Sequence, residues 1–257
     1  MSTVFDNFAP EEKKKRMKKF RVLLPALMMI VAPMMAGAQA FSKDDPIGAE
    51  QTFVTTEAAG WVSERATYKI IDKQESAGRT TLTLSAKSSV RAAKDSTPVE
   101  TNLTLKMIYT PSSIIIPKEN FSSAVGELED LFQGKKVTIK FSGDDPATPV
   151  DLKVGQKLPD TEVKADISIE GIKAKMNLKS TDRRVTGQER VTVPAGTFDT
   201  FVIEETSTAK VVILIISDTE KTTEKSWVVP GRGEVKTVSY DKKGKLASTT
   251  EMISFTK

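Results

Sequence analysis

The 257-residue chain contains no histidine and no cysteine. These absences exclude a histidine-assisted serine or cysteine nucleophile, a thiolate zinc site, histidine-ligated haem, disulfides and a cysteine-linked lipid anchor. Aromatic residues are scarce at 6%, so each large ring is a candidate for any apolar site. A basic surplus is also missing from most of the chain. The totals are 38 basic and 34 acidic residues, a net charge of +4. Residues 1–40 hold seven basic and three acidic side chains, which leaves 31 of each in residues 41–257. A balanced chain offers no clustered positive charge for nucleic acid or an anionic membrane surface. Long hydrophobic runs are lacking beyond one, Val22 to Met35. That run is shorter than the ~20 residues a membrane helix needs, and Pro25 and Pro33 interrupt it.

What is present at the start is a targeting pattern. Lys13, Lys14, Lys15, Arg16, Lys18, Lys19 and Arg21 precede the apolar run, and Ala38-Gln39-Ala40 follows it. A basic region, an apolar stretch and an A-x-A site make a secretory signal peptide, with cleavage expected after Ala40. The expected location is the periplasm or the extracellular space. Residues 1–16 look surplus, because a start at Met17 would place Lys18 and Lys19 directly before the apolar run. Residues 41–257 are expected to form one β-rich domain, and a lobe boundary could fall near 143–149.

Alternation dominates residues 41–257. Leu82, Leu84 and Ala86 alternate with polar residues, as do Leu103, Leu105 and Met107, and Val137, Ile139 and Phe141. Period two with one polar face is the pattern of half-buried antiparallel strands. In residues 162–179 a Glu170-Gly171 turn would set Ile169 opposite Ile172. The register then pairs Ile167 with Ala174, Ala165 with Met176 and Val163 with Leu178. A slip of one residue would drive Lys173 and Lys175 inward. Further turns are expected at Pro194-Ala195-Gly196, at Pro230-Gly231-Arg232-Gly233 and at Asp241-Lys242-Lys243-Gly244. Val211 to Ile216 is apolar on both faces and reads as a central strand. Phe121, Ala124, Val125, Leu128, Leu131 and Phe132 have helical spacing, with Asn120 or Ser122 as caps and Gly134 as the stop. The fold class is therefore mainly antiparallel β with one or two short helices.

No constellation carries a clear chemistry. Asp44-Asp45-Pro46 and Asp144-Asp145-Pro146 lack the spacing of a calcium loop and read as acidic turns. Glu204 and Glu205, as strand neighbours, point to opposite faces and cannot share one site directly. Arg183, Arg184 and Arg190 lie beside Asp182 and Glu189, which could pair with them. Gly231-Arg232-Gly233 lacks the helix of a dinucleotide loop. No catalytic residue, metal ligand or cofactor is assigned. The speculative ligand-binding residues are Trp61, Tyr109, Phe121, Leu128, Phe132, Phe201 and Trp227, which would form a groove if they line one concave face.

The stretch Arg190 to Phe201, with Val193-Pro194-Ala195-Gly196-Thr197-Phe198 and then Asp199, resembles the hairpin of the TapB-like family of bacterial exported proteins of unknown function. Val154 to Asp160, Trp227 with Pro230 to Lys236, and Ser239 to Lys245 also fit the resemblance, in matching order. The resemblance implies a curved antiparallel sheet or partial, open β-barrel in the envelope, and it brings no catalytic residues. Three functions remain open. The first is a non-enzymatic module binding a hydrophobic or other small ligand in a concave sheet. The second is an interaction protein that meets an envelope partner through a sheet edge. The third is an enzyme using carboxylates or lysine. N-terminal sequencing of the unprocessed precursor is expected to begin at Met17; recovery of peptides spanning Glu11 to Lys15 would refute that start.

Overall fold

The computed structural model describes residues 40–123, 125, 129, 134, 136–169, 172–213 and 216–257. The leader 1–39 therefore lies outside the described residues, as does most of the segment expected to be helical, 120–133, including Leu128 and Phe132. The strands are β1 (Glu50–Glu57), β2 (Val62–Ser76), β3 (Arg79–Val90), β4 (Val99–Tyr109), β5 (Ser113–Ile115), β6 (Val137–Gly143) and β7 (Ala147–Pro149). They continue as β8 (Thr161–Ile169), β9 (Ile172–Val193), β10 (Gly196–Ile213), β11 (Ile216–Val229), β12 (Gly233–Tyr240) and β13 (Leu246–Thr256). All thirteen form one sheet in the order β6-β8-β9-β10-β11-β12-β13-β1-β2-β3-β4-β5-β7. Every pairing is antiparallel.

The hairpin of β8 and β9 has the expected register, from Ile169 opposite Ile172 through Ile167–Ala174 and Ala165–Met176 to Val163–Leu178. The expected turns also occur: Val193 faces Gly196, Val229 faces Gly233, and Tyr240 faces Leu246. In the last of these, Asp241 Oδ1 accepts from the backbone N–H groups of Lys243 and Lys245, 2.8 and 2.9 Å away. The apolar run 211–216 is different from expectation. Ile213 ends β10 and pairs with Ile216, which opens β11, so the run is shared between two antiparallel strands; residues 214 and 215 lie outside the described residues. Val211 and Ile213 are buried on one face while Val212 is half-buried, so period two survives where composition concealed it.

The two edges of the sheet, β6 and β7, are neighbours in sequence. Only residues 144–146 separate them, and so short a link can span no more than roughly 14 Å. The sheet must therefore roll until its edges approach, although among the described residues no backbone ladder closes it into a barrel. Wide twisted sheets curl in this way because strand twist accumulates. The core reflects the roll. Leu82, Leu84, Leu105 and Met107 from β3 and β4 share one buried cluster with Val163, Ala165, Ile167 and Met176 from β8 and β9.

Local bonds pin the link. Asp144 N–H donates to the Glu162 carbonyl at 2.8 Å, and Glu162 N–H donates to Asp144 Oδ2 at 2.9 Å. Asp145 Oδ1 accepts from both the backbone N–H and the Nζ of Lys118, each at 3.0 Å. Lys118 opens a short 3-10 helix, Lys118–Ser123. Within it Asn120 does not act as a simple cap. Its amide is buried and bonds both backbone groups of Lys106 on β4, at 2.8 and 2.9 Å. Val125 and Glu129 are helical, and Gly134 has φ 78°, a left-handed conformation suited to a helix end.

Gly143, the last residue of β6, is the tightest point. Its φ is +96°, and a Cβ there would collide with the Glu162 carbonyl oxygen. Gly143→Ala is expected to destabilise the protein by roughly 2–4 kcal/mol in urea unfolding, since strain and a backbone collision add. Gly155→Ala, at φ +85° but facing open space, should cost only about 1 kcal/mol.

Candidate functional site

Strand register assembles a row of polar residues on one face of the sheet. Ile203 on β10 faces Ser226 on β11, which faces Thr237 on β12, then Thr250 on β13, Thr55 on β1 and Glu64 on β2. Residues directly opposite each other share a face. Two positions along, Glu205 faces Glu224, and two further along Ser207 faces Thr222. Phe53 on β1 and Ala66 on β2, two residues from Thr55 and Glu64, lie on the same face and belong to the main core. The polar row thus continues the surface that packs the core.

Hydrogen bonds link neighbours along the row. Glu234 Oε2 accepts from Thr237 Oγ1 at 2.8 Å and Ser226 Oγ at 3.2 Å. Thr55 Oγ1 lies 2.9 Å from Thr250 Oγ1 and donates to Glu64 Oε2 at 3.5 Å. Thr222 donates to Glu224 and Ser207 to Glu205, at 3.1 and 3.3 Å. A bulge on β12 between the Trp227 and Val228 pairings brings Glu234 opposite Val228 and beside these hydroxyls.

Among the described residues, Arg183 is the cation that reaches the row. Asp182 adopts φ 57°, and β9 is irregular between its Arg184 and Thr181 pairings. Short Asp side chains tolerate this left-handed conformation better than most. Beside this irregularity Arg183 turns inward and is 8% exposed. Its Nε donates to Glu205 Oε2 at 3.0 Å, and its Nη1 donates to the carbonyls of Ala147 and Pro159 at 3.2 and 3.1 Å. Arg183 therefore ties the row to the end of the edge-joining link. Arg184 and Arg190 do not join it; Arg190 lies on the surface near Asp199.

Burial dominates the titration of the remaining carboxyls. Desolvation pushes Glu64 up to about 7, partly offset by the Thr55 hydroxyl. It pushes Glu224 up to about 7, with repulsion from Glu205 adding to it. Glu234 rises to about 8 by burial, then by the charges of Glu205 and Glu224, against the hydroxyls of Thr237 and Ser226. Glu64 Oε1 is buried without a hydrogen-bond partner among the described residues. Near neutral pH the row can hold protons, so it can donate as well as accept hydrogen bonds. No group of carboxylates among the described residues has the arrangement of a metal site.

The residues singled out from sequence are dispersed. Trp61 is half-exposed directly before β2, and its carbonyl accepts from the Glu57 N–H. Tyr109 is buried and donates to the Phe41 carbonyl at 2.6 Å. Phe121 lies in the 3-10 helix, and its side chain, like Leu128 and Phe132, is outside the described residues. Phe201 packs on a small cluster of Leu152, Leu158, Val185, Ile203 and Val228. Trp227 is buried, donates to Glu189 Oε2 at 2.8 Å and stacks beneath Lys225. Phe201 faces Val228, whereas Trp227 faces Val202, so the two rings occupy opposite faces. Register gathers Glu64, Glu224 and Glu234 instead. Only Glu224 carried a signal in the sequence, standing in step with Thr222 and Ser226; Glu64 and Glu234 have no Ser or Thr at alternate positions.

The DUF3108-like family model matches residues 47–252, and the chain belongs to that family. A search of curated proteins finds no match. Among solved structures, one described as an exported protein with a YmcC-like fold, from Bacteroides fragilis, aligns with a TM-score of 0.60 at 16% identity, over 86% of this chain and 100% of its own. Another, described as a lipoprotein from Parabacteroides distasonis, aligns with a TM-score of 0.60 at 15% identity, over 86% and 99%. These likenesses establish the fold. Among the described residues, no helix is long and apolar enough to cross a membrane.

Stability should depend on pH through the row. Glu64, Glu224 and Glu234 bind protons more tightly folded than unfolded, so their contribution is complete below about 4.5 and is lost as pH rises through 7 to 8. Glu234→Gln keeps the shape without the titration. It should flatten the fall between pH 5 and 9 and raise stability at pH 9 by roughly 1–2 kcal/mol, read from urea midpoints.

Proposed function

We propose that the protein is an exported, non-enzymatic envelope module that binds a small hydrophobic or amphipathic molecule, its polar end against the hydroxyl–carboxyl row. Its working location is the periplasm or the extracellular space, following the leader pattern. The finer kinship with the TapB-like proteins belongs to the same proposal and rests on the Arg190 to Phe201 hairpin.

The observation that carries the reading is the row itself. Carboxyl groups on a core-facing surface are less stabilising than apolar residues of similar volume. Carboxyls with raised proton affinity gather at functional sites more than elsewhere. Apolar residues border the row, Phe53 and Met252 at one point and Phe201, Ile203 and Val228 at another. A floor of hydrogen-bonding groups with apolar flanks suits a ligand with one polar end. The lack of histidine and cysteine favours binding over catalysis.

A fluorescent fatty acid is a direct probe. Saturable binding is expected at pH 6, weakening by roughly tenfold or more at pH 9, where the ionised row repels an anionic headgroup. Glu234→Gln should reduce that pH dependence. Absence of binding at both values, together with no lipid in the mass spectrum of protein isolated from the envelope, would refute the reading.

A further inference from the structure

Residues 40–45 are held as part of the fold. Ala40 and Phe41 are fully buried. Ala40 N–H donates to Gln51 Oε1 at 2.9 Å, and its carbonyl accepts from Arg232 Nη1 at 3.0 Å. The Phe41 carbonyl accepts from Tyr109. Arg232 also forks onto Asp45, at 2.9 and 3.3 Å, and Asp45 is itself buried. Strands β1 and β4 and the β11–β12 turn all grip this segment.

Cleavage after Ala40, the position expected from the A-x-A signal, conflicts with that grip. It would remove the residue that bonds Gln51 and Arg232, leaving a buried acceptor and a buried guanidinium contact unmatched. It would also create an ammonium on the buried Phe41 nitrogen, next to the carbonyl position that Arg232 addresses. Asp45 already faces Arg232 and Lys257 Nζ, the latter at 3.4 Å, so a third cation would crowd one carboxylate. Two residues upstream, Ala36-Gly37-Ala38 repeats the A-x-A pattern.

We infer that the processing site is the Ala38–Gln39 bond, and that the mature protein begins at Gln39. A signal peptidase adds water across that bond, leaving a carboxylate on Ala38 and an amine on Gln39. The new charge then lies two residues before the buried Phe41 nitrogen, and both Ala40 contacts survive. This inference rests on the export reading alone and is independent of any ligand.

The test is to express the full chain with its own leader in a Gram-negative host and determine the N-terminus of the periplasmic protein by sequencing and intact mass. A start at Gln39, free or cyclised with loss of ammonia, supports the assignment. Exported protein starting at Phe41 or any other residue overturns the site while leaving export intact. An uncleaved chain confined to the cytoplasm overturns both. As a second measurement, chains spanning 39–257 and 41–257 are compared by thermal unfolding. The shorter is expected to melt roughly 4–8 °C lower, and equal melting temperatures would overturn the structural reason.

Discussion

Residues 144–146 carry the chain from one edge of a thirteen-stranded sheet to the other, and that covalent constraint shapes everything else. A flat sheet of this width would separate its edges by far more than three linking residues can bridge, given strands spaced about 4.8 Å apart. The sheet must roll, so one face turns inward and supplies most of the core. The link is held by backbone bonds to Glu162, by Lys118 on Asp145 and by a glycine that admits no side chain. Arg183 reaches the carbonyl of Ala147 at its end. An acidic turn that looked like a loop between lobes is thus the joint between the sheet's edges.

The same inward face carries two kinds of surface. Over β3, β4, β8 and β9 it is apolar and packed. Across β10 to β2 it becomes a chain of hydroxyls and carboxyls, bonded to one another along the register. Arg183 balances Glu205, while burial raises the proton affinity of Glu64, Glu224 and Glu234. Fold and candidate site are therefore not separable parts. The roll that makes the core also desolvates the row, and desolvation is the largest cause of its altered titration.

Much of the strand pattern was legible because period two is local. The 162–179 register followed from placing lysines outward, and the turns followed from glycine, proline and aspartate chemistry. The run 211–216 belongs to two strands and not to one, because uniform apolarity conceals where a strand ends. Arg183 and Asn120 could not be placed, since a β-bulge re-aims the first and a long-range backbone contact of 14 residues captures the second. The aromatic residues do not gather into one groove, because residue type does not set which face of a strand a ring occupies. Trp227 and Phe201 fall on opposite faces for that reason.

By itself the sequence determined the β class, most hairpins, the charge balance and the export pattern. Each depends on neighbours a few residues apart or on composition. Only the tertiary structure decided which strands lie side by side, that the sheet's edges meet, and that Ala40 belongs inside the fold. It alone brought Glu64 into one row with Glu234, residues far apart along the chain. Such pairings depend on loop closure and on burial summed over the whole sheet, and no local pattern encodes either.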